Sequence, residues 1–241
     1  MKERIRIGTA GWTIPKHCAD AFPAEGSHLE RYAARFAAAE INSSFYRSHK
    51  PSTYVRWAAS VPTGFRFAVK IPREITHIRR LIGVAEPLEG FLSEIQGLGD
   101  RLGPILVQLP PSLQYDAASA EAFFGALRAQ FEGEAVCEPR HLSWFDGSAD
   151  HMLFKYRIAR AAADPAATPL AAEPGGWSDI VYRRLHGSPK MYYSAYSEQD
   201  LEATAEAMLQ RAEHRRENWC IFDNTASGAA CENALSLSRR L

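Results

Sequence analysis

The sequence predicts an α/β protein of the (β/α)8, TIM-barrel-like type, formed as one domain over residues 1–241. Three observations lead there. Short apolar runs rich in β-formers alternate with segments of helical period, the pattern of repeated strand–crossover–strand units and hence of a parallel sheet. The 241 residues match the roughly 250 of a single closed α/β barrel. Each expected strand also ends in a polar side chain, where such barrels carry their sites. An open doubly wound sheet is the rival, but the loop after the first strand holds only Gly8 and Gly11 and no Gly-x-Gly-x-x-Gly turn.

In chain order, the first strand is Ile5–Gly8, followed by a turn-rich loop and a helix opened by Ser27 with Glu30 three positions on, a capping box. Leu29, Tyr32, Ala33 and Phe36 mark its buried face. A second strand covers Glu40–Ser43, a helix runs near Ser52–Ser60, and Pro72 stops a third strand at Phe65–Ile71. Leu88, Phe91, Leu92 and Ile95 form the next helical stripe, before a fourth strand, Pro104–Leu109, that ends at Pro110-Pro111. A helix carrying Phe123, Phe124 and Leu127 leads to strand five, Ala135–Glu138. Strand six, near Ala159–Asp164, is alanine-rich and is expected to be irregular. Strand seven is Ile180–His186. Ser197 and Asp200 then open a helix whose Leu201, Ala205, Met208 and Leu209 share a face, and Trp219–Asn224 supplies strand eight before a last helix. Pro165–Gly176 reads as a mobile loop.

Composition narrows the function. Lys plus Arg and Asp plus Glu both number 28, so no global positive field attracts nucleic acid, and a nucleic-acid partner is disfavoured. The Met1–Arg6 start is charged, and no stretch approaches eighteen uninterrupted apolar residues, so neither a signal peptide nor a membrane span is expected and the cytoplasm is the expected compartment. Cys18, Cys137, Cys220 and Cys231 lack pairing or zinc-ligand spacing and read as free thiols, Cys18 lying in a loop. There is no Gly-x-Ser-x-Gly turn, no Gly-Lys-Ser/Thr phosphate loop and no His-Glu-x-x-His pair, which removes serine hydrolases of that kind, P-loop enzymes and zincins.

Read to their ends, the strands give Thr9 and Trp12, then Asn42, Lys70, Gln108, Glu138, Asp164, His186 and Asn224, with Arg140 and His141 just past strand five. Strand parity adds more. Tyr182, Arg184 and His186 share one face, as do Glu40 and Asn42, so a terminal residue that points inward carries its neighbour two back with it. A buried Arg184 needs a carboxylate, and Glu40 or Glu138 can supply one.

These residues resemble the YecE-like domain-of-unknown-function family of α/β barrels. The likeness spans nearly the whole chain. It rests on Gly8-Thr9-Ala10-Gly11-Trp12, Glu40-Ile41-Asn42-Ser43-Ser44-Phe45-Tyr46-Arg47, and Phe67-Ala68-Val69-Lys70 with Pro72-Arg73 and Thr76-His77. It continues through Gln108-Leu109-Pro110-Pro111-Ser112, Glu138-x-Arg140-His141-x-Ser143-Trp144-Phe145, Arg184-Leu185-His186-Gly187 and Asn224-Thr225. The resemblance implies a TIM-barrel-like fold and candidate positions, and no reaction. Leu142 stands where that family usually has proline, Asp223 replaces an asparagine, and Arg183 occupies a usually apolar position.

The expected activity is acid–base chemistry, of hydrolase or lyase type, on a small polar molecule, anionic or sugar-like. Glu138 and His186 are the expected proton carriers and Lys70 an anion or Schiff-base lysine. Asn42, Gln108, Arg140, His141, Arg184, Asn224, Trp12 and Tyr46 are the expected substrate-binding residues. Trp12, Phe45, Tyr46 and Trp144 form an expected aromatic rim, and Tyr192, Tyr193 and Tyr196 an expected cover. Each has a plainer reading as an ion pair, rim charge or packing aromatic. No cofactor is expected. A divalent metal on Glu138, Asp164 and His186 is the alternative, without a spacing motif behind it. A non-catalytic metabolite-binding module using the same pocket is the rival function, and a barrel that processes single-stranded nucleic acid, through the aromatic rim and the basic cluster of Arg73, Arg79 and Arg80, is the third. A second basic cluster, Arg211, Arg215 and Arg216, lies far from the strand ends.

Overall fold

The computed structural model describes residues 5–212 and 217–241; Met1–Arg4 of the charged start, and Arg215 and Arg216 of the second basic cluster, lie outside the described residues. The fold is mixed α/β with parallel sheets. The first sheet orders its strands as β1 (Ile5–Thr9), β10 (Glu217–Phe222), β9 (Ile180–Leu185) and β7 (Ala162–Asp164), all parallel. The second runs β2 (Ala38–Ile41), β3 (Arg66–Lys70), β4 (Leu102–Gln108), β5 (Ala135–Glu138) and β6 (Ile158–Arg160), parallel throughout, with a two-residue antiparallel β8 (Gly175–Gly176) on its edge. The helices are α1 (His28–Ala33), α2 (Ser43–Tyr46), α3 (Pro51–Ala59), α4 (Ala85–Ile95), α5 (Ala117–Gln130), α6 (Gly147–Lys155), α7 (Glu198–Ala212) and α8 (Ala229–Ser238).

The local chemistry explains most of these elements. The Ser27–Glu30 capping box forms as expected and starts α1. Asp116 and Asp146 accept from the N3 amides of α5 and α6, and Pro51 occupies the first turn of α3. Strand two lies two residues earlier than expected, at Ala38–Ile41, and it stops there because Asn42 has already turned into helical backbone and Ser43 starts α2. Phe36 is buried but lies beyond the end of α1.

The two sheets meet at two seams. At one, the chain runs directly from β6 through Ala161 into β7: β6 pairs with β5, β7 with β9, and the Ala161 amide donates to the Cys137 carbonyl at 2.8 Å. This is the irregular strand six that the alanine-rich sequence suggested. At the other seam, β1 and β2 touch through a single parallel bridge, Ala10 to Glu40, with the Gly11 amide donating to the Glu40 carbonyl at 2.8 Å. Lower down, Gly8 comes so close to β2 that a Cβ there would sit 2.1 Å from the Ala38 carbonyl oxygen. The Tyr32 hydroxyl fills the gap left in the backbone ladder, accepting from the Thr9 amide at 2.7 Å and donating to the Ala38 carbonyl at 3.1 Å.

Two apolar layers result. The larger packs helices onto the outer strand face. The smaller contains only strand residues and Ala161, among them Ala38, Ala68, Leu106, Val136, Tyr182 and Trp219. Tyr182 and Trp219 stack there at 5.8 Å, and Gly103 makes room for the indole, since a Cβ at that position would lie 2.7 Å from Trp219 Cη2.

Four expectations are corrected by packing. Leu209 stays 38% exposed although Leu201, Ala205 and Met208 are buried. Trp144 is no rim residue: it is buried, donates to the Leu113 carbonyl and packs edge-on against Tyr115. Cys18 is not in an open loop but buried in a 3-10 turn, Lys16–Ala21. The segment read as mobile is pinned by buried Arg160, whose guanidinium donates to the Leu170 and Glu173 carbonyls while paired with Asp150 at 2.8 Å. Arg183 is accommodated by Asn218, which accepts from it at 3.0 Å and ties the strand to α7 through the Met208 carbonyl.

Because the Tyr32 hydroxyl alone satisfies the Thr9 amide and reaches the Ala38 carbonyl, Tyr32→Phe leaves buried backbone groups short of partners. We expect a loss of about 1–3 kcal/mol, lowering Tm by several degrees. Urea and thermal unfolding measure it, and an unchanged midpoint would show that the seam is held some other way.

Candidate functional site

The period of two along each strand builds the site. Two residues beyond Ala38, Ala68, Leu106, Val136, Tyr182 and Ile221 on the inner face stand Glu40, Lys70, Gln108, Glu138, Arg184 and Asp223. One apolar layer is thus capped by a charged one at the carboxyl ends of the strands.

Arg184 is its centre. Fully buried, it donates from Nε and Nη2 to the two Glu40 oxygens (2.9 and 2.6 Å), from Nη1 to Glu138 Oε2 (2.6 Å) and from Nη2 to Asp223 Oδ2 (3.0 Å). The Tyr182 hydroxyl donates to Glu40 at 2.8 Å. His186 lies between two carboxylates, with Nδ1 3.0 Å from Asp223 Oδ2 and Nε2 2.9 Å from Glu138 Oε1. Arg140 Nη2 reaches both His186 Nε2, at 2.6 Å, and Glu138 Oε1, at 2.5 Å. In the neutral Nδ1–H tautomer, Nε2 accepts from Arg140; in the imidazolium, Nε2–H donates to Glu138. Glu138 can accept from a protonated Nε2, but an Nε2–H would face the Arg140 donor at 2.6 Å, so protonation requires that guanidinium to shift.

Burial pushes the Glu138 carboxyl up, but Arg184, Arg140 and His186 more than offset it and hold the group well below the carboxylate range. Asp223 is lowered for the same reason, burial being outweighed by Arg184 and His186. Burial opposes the Arg184 charge, yet Glu40, Glu138 and Asp223 fix it as a permanent cation. Tyr182 is driven well upward, first by burial and then by the Glu40 charge, so it stays a donor.

Lys70 differs from these. It is 8% exposed, and among the described residues its ammonium forms no hydrogen bond or ion pair; it sits 4.1 Å from the centroid of the Phe45 ring. Burial, followed by the Arg184 charge, brings its pKa down to about 8. Asn42 Oδ1, Arg140 Nε and Asn224 Oδ1, near the strand ends, are also buried without a hydrogen-bond partner in the described structure. The β2–β3 register, with Ile41 beside Val69, carries Asn42 to the level of Lys70, and Gln108 lies directly opposite Glu138.

Of the residues expected from sequence, Glu138, His186, Arg140 and Arg184 therefore meet directly, and Lys70 lies within their electrostatic reach. Others turn elsewhere. His141 Nδ1 accepts from the Ser143 amide and caps the short 3-10 turn Leu142–Trp144; Leu142 opens that turn, a position proline also suits. Asn224 donates to the Ser194 carbonyl and Asn233, leaving its Oδ1 unpaired. The Gln108 amide donates to the Leu109 carbonyl. Trp12 packs edge-on against Trp57 and Phe67, whereas Tyr46, 71% exposed, leans on Phe45 at the rim. Asp164 is separate from the cluster, its carboxylate accepting from Tyr196 at 2.6 Å, and Glu138, Asp164 and His186 do not converge on a common point among the described residues. The expected metal trio is thus not assembled, and His186 and Arg184 share two acidic partners, Glu138 and Asp223. Tyr192 lies edge-on over His186 at 5.8 Å.

Asp223 and His77 are the residues that sequence reasoning passed over. Asp223 stands one residue before the chosen strand end, Asn224, and parity with Ile221 was the clue. His77, in the π-helical turn Glu74–Ile78, packs on Phe45 at 4.9 Å, on the ring that also meets Lys70. Burial and then the charges of Lys70 and Arg73 keep its imidazole below the usual histidine value.

Fold and cluster together define an α/β protein with a buried carboxylate–guanidinium–imidazole centre at the carboxyl ends of parallel strands. The chain belongs to the family described as "Protein of unknown function DUF72", whose profile matches residues 6–241. It is 32% identical over 106 residues to the UPF0759 protein YecE of Escherichia coli (strain K12), covering 44% of this chain but only 38% of that protein. It is 21% identical to the UPF0759 protein YunF of Bacillus subtilis (strain 168), over 95% of this chain and 92% of the relative. Crystal structures of DUF72 family proteins from Enterococcus faecalis V583 and Thermotoga maritima MSB8 superpose with TM-scores of 0.83 and 0.80 at 20% and 25% identity, each over 98% of this chain and 95% and 98% of the other.

Removing the central cation takes the guanidinium from three carboxylates, leaving Glu40 with Tyr182, Glu138 with Arg140 and His186, and Asp223 with His186. Arg184→Ala should cost about 3–5 kcal/mol, read as a fall in the urea midpoint. The depressed carboxyls set the sign of the pH dependence: Glu138 and Asp223 bind fewer protons folded than unfolded. Their stabilisation is complete above the unfolded values of about 4 and is lost as pH falls below them. Asp223→Asn should flatten the fall of the urea midpoint below about pH 4, and an unaltered slope would exclude Asp223 as a source.

Proposed function

We propose that this protein is a cytoplasmic enzyme that carries out acid–base chemistry, a hydrolysis or an elimination, on a small anionic or sugar-like molecule held over the carboxyl ends of its strands. We further propose that the strands close into one eight-stranded barrel in a single domain. Closure is supported by the Ala10–Glu40 bridge, the unbroken run through Ala161 and an inner apolar layer to which no helix contributes.

The observation that carries the proposal is Lys70: a largely buried residue whose ammonium forms no hydrogen bond or ion pair among the described residues, at strand ends where Asn42 Oδ1 and Arg140 Nε also lack partners. A buried charge of this kind costs free energy unless a ligand completes it. Lys70 and Arg140 bind the substrate anion, and Asn42 fixes its orientation. His186 exchanges the proton at Nε2, with Asp223 holding Nδ1 and Tyr192 moving aside to admit the substrate. Glu138 is a positioning residue: both its oxygens are engaged and its charge is locked, which suits it to stabilising an imidazolium and not to taking a proton. Arg184 and Glu40 are the fixed base on which these groups stand.

A non-catalytic binding module is the second reading, favoured by how completely Arg184 and Glu138 are satisfied within the protein. Recovery of every bound compound unchanged after prolonged incubation would favour it.

The test is a thermal-shift series with inorganic phosphate, sugar phosphates and uncharged sugars at pH 7 and 9, on wild type and Lys70→Met. Lysine is charged below its pKa of about 8 and neutral above it. An anionic ligand at a hundred times its Kd should raise Tm by several degrees at pH 7, and much less at pH 9 or in Lys70→Met. Equal shifts in wild type and variant would remove Lys70 from the site.

A further inference from the structure

A second group of ligand-type side chains lies away from this cluster, where the loop after β1 meets the start of α8. His17 Nε2, Cys18 Sγ and a Glu232 carboxylate oxygen all lie within 4.8 Å of one another, and His17 Nε2 is 3.6 Å from Glu232 Oε1. The three line a cleft of about 530 Å³ that Asp20 and Glu198 also border. The histidine ring is seated against backbone: a Cβ on Gly228, the positive-φ residue before α8, would fall 3.0 Å from His17 Cε1. Behind the three, the Cys231 thiol neighbours that of Cys18.

We propose that His17, Cys18 and Glu232 bind one transition-metal ion of the zinc class. Tetrahedral zinc with bonds of about 2.0–2.3 Å to nitrogen, oxygen and sulfur separates its ligand atoms by about 3.4–3.6 Å, close to the spacing already present between His17 and Glu232. One thiolate, one imidazole and one carboxylate match zinc or cobalt, whereas magnesium and calcium require oxygen ligands throughout. Cys18 enters as thiolate, its proton passing to solvent as the sulfur–metal bond forms. The fourth position is open to water from the cleft. Bound metal ties the 3-10 turn after β1 to the last helix, two elements far apart in the chain, so it stabilises the folded state over the unfolded one. The pairing of His17 with Cys18, adjacent in sequence, gives no ligand-spacing motif; the fold supplies Glu232.

Titration of the full chain with Co2+ alone reads the site directly. The expected result is one ion per chain, thiolate-to-cobalt charge-transfer absorption, displacement by Zn2+ and none by Mg2+. Glu232→Gln and the exposed His17→Ala should each weaken binding at least tenfold, Cys18→Ser should remove the charge-transfer band, and Asp20→Asn in the same cleft should change neither. Because His17 is on the surface, His17→Ala keeps the test decisive even if Cys18→Ser fails to fold. Absence of the band in wild type, displacement by Mg2+, or equal affinity in wild type and His17→Ala would overturn the proposal.

Discussion

Arg184 is a permanently charged guanidinium at the centre of a parallel-strand structure, and its neighbours are arranged around that fact. A buried cation of this kind is tolerable only with acceptors on its donors, and Glu40, Glu138 and Asp223 come from three different strands to provide them. Their approach requires those strands to hold one register. Glu138 is opposite Gln108 and Arg184 is opposite Ile221, which sets Asp223 two residues further along its strand. The charge centre therefore fixes strand positions as much as the strands fix it.

The layers beneath follow from the same parity. Small residues on β2 and β3, Ala38 and Ala68, face the bulky Tyr182 and Trp219 of β9 and β10, and together they separate the charged layer from the far end of the strands. Tyr182 belongs to both, its ring in the apolar stack and its hydroxyl on Glu40. With Arg184 neutralised by Glu40, Glu138 and Asp223, the other cations near it are Lys70, in the same layer, and Arg140, two residues past the end of β5. Arg140 is anchored by Glu138, whereas Lys70 lies over the Phe45 ring and, among the described residues, its ammonium forms no hydrogen bond or ion pair.

Alternation of apolar runs and helical stripes, the Ser27–Glu30 cap, the proline stops and the polar strand ends follow from residue type and local periodicity, so the sequence by itself determined the order of elements and most of their ends. Parity on a strand also announced that Arg184 would share a face with His186 and would need Glu40 or Glu138, because side-chain alternation is a property of the extended backbone. Only the tertiary structure decided which partners were taken. Asp164 and Asp223 look equally suitable in the sequence, yet Asp164 goes to Tyr196 and Asp223 to His186 and Arg184. Likewise Trp144 was drawn into the core, and His141 became a cap. These outcomes rest on the relative placement of segments many residues apart, down to a hydroxyl bridging β1 and β2 where Gly8 allows close approach, and no local pattern encodes distances between strands.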